Sequence, residues 1–414
     1  MNGPHFRRKS CRLCGGSELE CVLSLQPTPP ANAFVPKRLV GQRQPTYPLD
    51  VFLCRACGHV QLLDVVDARE LFEQYVYVSG TSPVFVRHFE NYAQSLISQF
   101  SPPSDSLVID IGSNDGTLLG FFRDQGHSVL GVDPARAIAE KATMAGIETL
   151  PQFFTPELAR EIRASRGLAS MVTANNVFAH ADDLGGIVEG VEHLLAPGGV
   201  FAFEVSYLLD VFEKTLFDTI YHEHLAYHTV RPLRSFFQAR GMELVEAVRI
   251  DTHGGSIRGL VQRSEDVSAV GDSVATAAEV ERVLRLDQPE PYAEFAGRIA
   301  ERKRTLSELL GKVRASGKHI AAFGAPAKAT TLLYEVGLGP DIIDFVVDDS
   351  PLKQGLFTPG MHIPVFDRSA LKERRPDYLV ILAWNFVAPI VKSLSEYRED
   401  GGKVIVPLPD LEIL

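Results

Sequence analysis

Phe217 to Val230 reads FDTIYHEHLAYHTV, the densest cluster of titratable side chains in the sequence. Histidines beside a glutamate raise metal-dependent hydrolysis first, but HExxH needs a histidine at position 226, where the residue is alanine. His224 and His228 lie four apart and could share a helical face, yet no third ligand suggests itself nearby. Acid–base chemistry fits better: an imidazole is suited to proton abstraction near neutral pH, and Tyr221 can donate to a developing oxyanion. A solvated polar stretch is the alternative. Upstream, Asn175 and Asn176 close an apolar run beside Phe178 and His180, with His180 reading as a site residue or as a helix-capping or buried histidine.

Leu107 to Gly116, LVIDIGSNDG, offers a binding loop for that chemistry. An apolar run meets an acid, then a glycine-rich turn, then an apolar stretch compatible with a helix. Gly112 and Gly116 let the backbone approach a ligand, while Asp110 and Asp115 place carboxylates where a cation could sit. A phosphate cradle wants backbone amides and a lysine instead. Asp133 ends a second apolar run, VLGVD, about twenty residues on, where doubly wound folds set an acid on ribose hydroxyls. S-adenosylmethionine, an adenosine carrying an amino acid and a sulfonium, satisfies all of this. GSNDG is not GxGxxG, which disfavours a nicotinamide cofactor. A glycine-rich turn in an unrelated α/β core would look similar.

The five cysteines, Cys11, Cys14, Cys21, Cys54 and Cys57, all fall early in the chain. Cys11, Cys14, Cys54 and Cys57 form two CxxC pairs, each followed at once by glycine, the knuckles of a structural zinc site with no open position for chemistry. Two redox pairs are the alternative, disfavoured by a reducing compartment. Cys21 is left over as a small apolar filler.

These groups need a scaffold, and the sequence supplies alternating elements. VIDI, VLGVD, LASMVTANN and GGVFAFEV read as strands, each followed by helix-compatible sequence, predicting a mostly parallel sheet with helices on both faces. Gln152 to Phe154 could flank an adenine or simply pack. SPVFVRHFENYAQSLISQF reads as a helix, preceded by tyrosines and hydroxyls that either cap it or face a substrate. The prolines of Pro27 to Pro48 suggest a segment wrapping over a neighbour. His253 with its glycine pair marks either a hairpin-like turn or a ligand-facing loop. A second doubly wound signature follows a long helix over Tyr292–Ser316: HIAAFG as a strand, GAPAK as a turn, DFVVDDS as a strand and Tyr378–Phe386 as another. GAPAK lacks a second glycine and Pro326 removes an amide, but Lys328 at a helix start can hold a diphosphate. The formal charge of −11 disfavours nucleic acid. No apolar run reaches membrane-spanning length, and the basic first residues lead into a cysteine motif, so the expected compartment is the cytoplasm.

The paired CxxC, IDIGSNDG, TANNVFAH, YHEH and FGAPAKATTLL together resemble the sugar C-methyltransferases of deoxysugar pathways, of the tetronitrose and noviose type, and the resemblance covers essentially the whole chain. It implies an α/β protein: a zinc-binding domain over residues 1–72, a Rossmann-like class I methyltransferase core over 73–265 and a second Rossmann-like domain over 266–414. The implied reaction methylates the carbon next to the ketone, position 3, of a nucleotide-linked 4-keto-deoxysugar. The family's Tyr-x-Glu-His pattern falls on Tyr221, Glu223 and His224, with His224 as base. Tyr77 and His180 would line the sugar, with Tyr75 the competing register for the tyrosine. The cofactor positions fall on Asp110, Gly112, Asp115, Asp133 and Asn176. A monomer acting on a small molecule is expected, and an O- or N-methyltransferase is the rival reading.

Overall fold

The computed structural model of the protein describes residues 5–73, 75, 78–81 and 83–414. Leu107–Ile111 forms a strand whose Val108, Ile109 and Ile111 are buried, as a central strand covered on both faces requires. Among the described residues it lies in a seven-stranded sheet ordered Met242–Ile250, Ser256–Arg263, Leu195–Ser206, Ala169–Asn175, Leu107–Ile111, Ser128–Val132, Thr149–Leu150. Ser256–Arg263 runs antiparallel to both neighbours and the other pairings are parallel. This is a Rossmann-like class I methyltransferase core. The carboxyl ends of the central strands carry the GSNDG loop, Asp133, and Asn175 with Asn176, so the sheet brings the predicted binding groups to one edge.

A second sheet has the order Val365–Phe366, Val346–Val347, Ile320–Phe323, Tyr378–Ile381, Lys403–Val406, Glu412–Ile413. Numbered along the chain this is 3-2-1-4-5-6, the doubly wound dinucleotide order, with the switch point between Ile320–Phe323 and Tyr378–Ile381. The GAPAK turn follows the first of these strands and Trp384–Phe386 the second. The strand expected to run to Phe386 therefore stops at Ile381, and Trp384–Phe386 is a short 3-10 turn. That turn points Trp384 into the rest of the protein, where its indole N–H donates to Asp218 at 2.6 Å.

The amino-terminal cysteine region contributes a four-stranded sheet ordered Ala226–Tyr227, Val60–Leu62, Tyr47–Cys54, Leu19–Thr28. Its edge strand comes from the segment immediately after YHEH, with Ala226 opposite Gln61 and Tyr227 opposite Val60. The YHEH segment is thus stitched to the cysteine region, and His224 and His228 share no helical face. The proline-rich stretch does wrap over a neighbour: Val35–Pro36 pairs with Leu356–Phe357 of the carboxy-terminal region. Cys21 is exposed, so it is not an apolar filler.

Candidate active site

Cys11, Cys14, Cys54 and Cys57 converge with their sulfurs all within 4.8 Å of one another, Cys11 to Cys57 at 3.7 Å and Cys14 to Cys54 at 3.5 Å. Four thiolates around a tetrahedral zinc with Zn–S near 2.3 Å would lie about 3.8 Å apart, so the donor set fits the ion. Every sulfur is used, which leaves no coordination position for a substrate.

The binding loop is shaped by packing as much as by a ligand. Gly112 has φ +71°, and a Cβ there would fall 2.2 Å from the Val177 side chain. Asp133 accepts from the backbone N–H of Asn114 at 2.9 Å and of Ala135 at 2.8 Å, so its carboxylate is fixed across the mouth of the loop. Asp110 accepts the Thr173 hydroxyl at 2.6 Å; burial pushes its carboxyl up to about 7, a cost that a bound cation would relieve. Asp115 lines the same space with its carboxylate tied to Thr117 and to the N–H of Gly80. Asn176, at φ +56°, has its side-chain nitrogen 3.3 Å from Nε2 of His253, itself at φ +55°. Because an amide nitrogen only donates, that Nε2 is the acceptor.

One cavity of about 530 Å3 joins this loop to the histidine segment and to the carboxy-terminal switch point, with Asn32 and Val65 of the cysteine region also in its wall. Inside it, His224 is oriented from both ring nitrogens. Nδ1 lies 2.8 Å from the Thr219 carbonyl, which can only accept, so Nδ1 carries the proton and Nε2 faces the Tyr221 hydroxyl at 2.8 Å. Burial lowers the imidazole to about 4, opposed by the Thr219 carbonyl, so it is a neutral base at pH 7. His180 stacks on His224 with ring centroids 5.0 Å apart, and its buried Nε2 has no hydrogen-bond partner among the described residues. Burial raises Tyr221 well above the usual phenol, keeping it a donor.

Glu223 stands elsewhere. It accepts from Asn32 at 2.8 Å and from Tyr75 at 3.4 Å, and burial pushes it up to about 7. The partner that orients His224 is the Thr219 carbonyl, a backbone group with no sequence signal. Tyr77 lies outside the described residues. Lys328 donates to Asn385 at 2.7 Å and sits 3.3 Å above the Trp384 ring; burial lowers it to about 7, with Asp218 opposing. Lys353 and Asp348 line the cavity as well; the sequence marks Asp348 only as one of the acids ending DFVVDDS and gives no sign of Lys353. Phe153 and Phe154 are in its wall.

Three family models match the chain in succession: a zinc binding domain over residues 11–72, a methyltransferase domain over 85–247 and a C-methyltransferase C-terminal domain over 251–409. A relative, C-methyltransferase NovU of Streptomyces niveus, is 35% identical over 404 residues, spanning 98% of this chain and 96% of that one. The chain belongs to this C-methyltransferase family. It is accordingly an S-adenosylmethionine-dependent C-methyltransferase with a zinc-binding amino-terminal domain. Solved structures similar to it include the magnesium protoporphyrin IX methyltransferase of Synechocystis PCC 6803 with bound SAM, at 15% identity, TM-score 0.33, 44% of this chain and 82% of that one. Another is an S-adenosylmethionine-dependent methyltransferase of Clostridium acetobutylicum, at 12% identity, TM-score 0.35, 43% of this chain and 92% of that one. For a C-methyltransferase the arrangement is apt: carbon must be made nucleophilic before it can take a methyl group, and this cavity holds a neutral imidazole base beside a phenol donor.

Proposed function

We propose that the protein methylates C-3 of a nucleotide-linked 4-keto-deoxysugar through a proton abstraction carried out by His224. The observation that carries this reading is the chain Thr219 carbonyl, His224, Tyr221, lying in the same cavity as the GSNDG loop. Bound S-adenosylmethionine supplies an electrophilic methyl on a sulfonium that departs as a neutral thioether. Asp110, Gly112, Asp115, Asp133 and Asn176 hold it. A carbon next to a ketone attacks such a methyl only as an enolate. Nε2 of His224 takes the proton from C-3 as the Tyr221 hydroxyl turns from Nε2 to the ketone oxygen, where it and His180 steady the negative charge. The electron pair left on C-3 forms the new carbon–carbon bond. No catalytic metal enters the step.

Lys328 meets the substrate diphosphate in this reading. Glu223 acts through Tyr75 and Asn32, which border the sugar end, and Tyr77 belongs to the same stretch as Tyr75. We also propose that the working unit is a cytoplasmic monomer, divided into the three domains at 1–72, 73–265 and 266–414, with no nucleic-acid or membrane partner. No helix among the described residues is long and apolar enough to cross a membrane.

The test follows deuterium at the carbon beside the ketone. With a 4-keto nucleotide sugar in D2O, the wild-type protein should exchange that proton, read by NMR, before or without methyl transfer. His224→Asn should slow both exchange and methylation by about 100- to 10,000-fold, the usual contribution of a general base. Methylation that proceeds at oxygen or nitrogen with no exchange at carbon would replace this reading with the O- or N-methyltransferase one.

A further inference from the structure

Arg12 sits inside the first cysteine knuckle, between Cys11 and Cys14, and its side chain is fully buried. A guanidinium taken out of water is tolerated where acceptors surround it. Two of its acceptors belong to the cysteine region itself: Nη1 donates to the Leu62 carbonyl and, at 3.2 Å, to Oε1 of Gln61. The other two, among the described residues, lie on the methyltransferase side, and each flanks one of the stacked histidines of the cavity. Nη2 forms an ion pair with Asp182 at 3.0 Å, two residues beyond His180. Nη1 donates to the carbonyl of Leu225 at 3.4 Å, the residue after His224.

The segments that Arg12 joins are also bonded to each other. The Leu225 N–H donates to the Ala179 carbonyl at 2.9 Å, and the Leu225 carbonyl accepts from the N–H of Leu62 at 3.0 Å. Ala179 and Leu225 are the chain neighbours of His180 and His224, whose ring centroids lie 5.0 Å apart. Arg8 steadies Asp182 from its other oxygen, donating to Oδ2 at 2.9 Å and to the backbone carbonyl at 3.1 Å. The second knuckle bears on the same place. His59, two residues past Cys57, stacks on His228 at 5.5 Å, and Nε2 of His228 donates at 3.3 Å to the carbonyl of Phe178, two residues before His180. A tie between domains with no bearing on the chemistry could land anywhere on their shared face; this one lands within two residues of both histidines. Lysine could not replace it, because an ammonium is a point donor, whereas the planar fork holds a carboxylate on one nitrogen and a carbonyl on the other at a fixed angle.

We infer that Arg12 is a positioning residue for the methyl transfer: its guanidinium, set by the first cysteine knuckle, holds the segments of His180 and His224 in register so that both rings meet the substrate together. This rests on the reading of His224 as the base. The cysteine knuckle thus bears on the chemistry through a side chain and not through its sulfurs.

A double-mutant cycle on the full chain tests it, with a 4-keto nucleotide sugar as substrate and with deuterium exchange and methyl transfer as the two rates. Arg12→Met should lower kcat by about tenfold to 100-fold, the effect of displacing reacting groups by up to about 1 Å, with KM within about twofold of wild type. Zinc content and the affinity for S-adenosylhomocysteine should match wild type, which reports that the knuckle and the cofactor loop stand. On a His224→Asn background the same change should cost less than about twofold, because a base that is absent cannot be misplaced. Arg12→Lys keeps the buried charge and decides the matter if Arg12→Met does not fold. Its ammonium cannot meet Asp182 and Leu225 together, so kcat should fall by at least about fivefold, again with no added loss on His224→Asn. An equal loss on both backgrounds would make Arg12 a brace for the fold and overturn the assignment, as would wild-type kcat in either Arg12 variant. If His224→Asn itself keeps the wild-type rate, it is the reading of the base that fails, and this inference with it.

Discussion

His224 is held neutral by burial, and among the described residues its hydrogen-bond partners are a backbone carbonyl and a phenol, with no carboxylate. A base must be unprotonated to act, and a pKa lowered from 6.5 to about 4 keeps it so across the whole neutral range. Protonation of His224 should therefore add to the acid limb of kcat/KM for the carbon-exchange reaction only as pH approaches 4, well below any step set by Asp110 and Glu223, which burial brings to about 7. An NMR titration of the His224 ring with a midpoint near 6.5 would mean an imidazole in contact with bulk water. Tyr221→Phe removes the hydroxyl from Nε2 and from the oxyanion at once. We expect kcat to fall by about 100- to 1,000-fold with little change in KM, the pattern of a group that acts mainly in the transition state. YHEH drew attention through residue type alone, and the structure places Tyr221 and His224 of it in the cavity wall. Glu223 did not announce its place, because its partner Asn32 is 191 positions away in the chain, on a segment weighed chiefly for packing. Lys353 gave no signal at all: a lysine in SPLKQG is ordinary surface sequence until the fold buries it against the GAPAK loop.

Elements were the most legible level, since strands buried on both faces write themselves as continuous apolar runs, and those around Leu107, Ser128, Ala169, Leu195 and Ile320 all appear. Their ends were less so. Tyr378–Phe386 is apolar but for Asn385, so its pattern does not mark the strand end at Ile381; past it the chain turns, and the Trp384 indole donates to Asp218. The helix reading of His224 and His228 failed for a similar reason: pairing of Ala226 and Tyr227 with Val60–Leu62 draws the segment out into a strand. Gly112 sits where strand, loop and the neighbouring Val177 meet, and its left-handed backbone leaves no room for a side chain. Gly112→Ala should cost about 2–4 kcal/mol from the positive φ and the overlap together, seen as a lower melting temperature and weaker S-adenosylmethionine binding. Adding Val177→Ala should recover the part due to overlap and not the part due to φ. If Gly112→Ala melts like the wild-type protein, the loop is more yielding than its contacts imply.

At the scale of the whole molecule the cavity belongs to no single sheet. The cysteine region supplies Asn32, Val65 and Val66, the methyltransferase sheet supplies the cofactor loop and the histidines, and the last sheet supplies Lys328, Asp348 and Asn385. The four cysteines lie outside that cavity, yet the region that a zinc ion on them would brace carries Asn32, the donor to Glu223, and the strand that pairs with Ala226–Tyr227 just beyond His224. In the proposed reading the cofactor is held by other elements, the ends of Leu107–Ile111 and Ser128–Val132. Removing the metal should thus separate two properties that loss of the whole fold would remove together. Elemental analysis is expected to give one zinc per chain. After treatment with a strong chelator, or in Cys54→Ser, turnover should fall by at least about tenfold, since a 1 Å displacement of reacting groups alone can cost 100-fold. Binding of S-adenosylhomocysteine, measured by calorimetry, should stay within about twofold of wild type, because a chain whose cofactor loops are intact loses none of the contacts that set it. Restored zinc should restore turnover to the chelated protein and not to Cys54→Ser. If cofactor affinity disappears along with activity, the zinc-binding domain supports the methyltransferase core itself and not only the wall it lends to the active site.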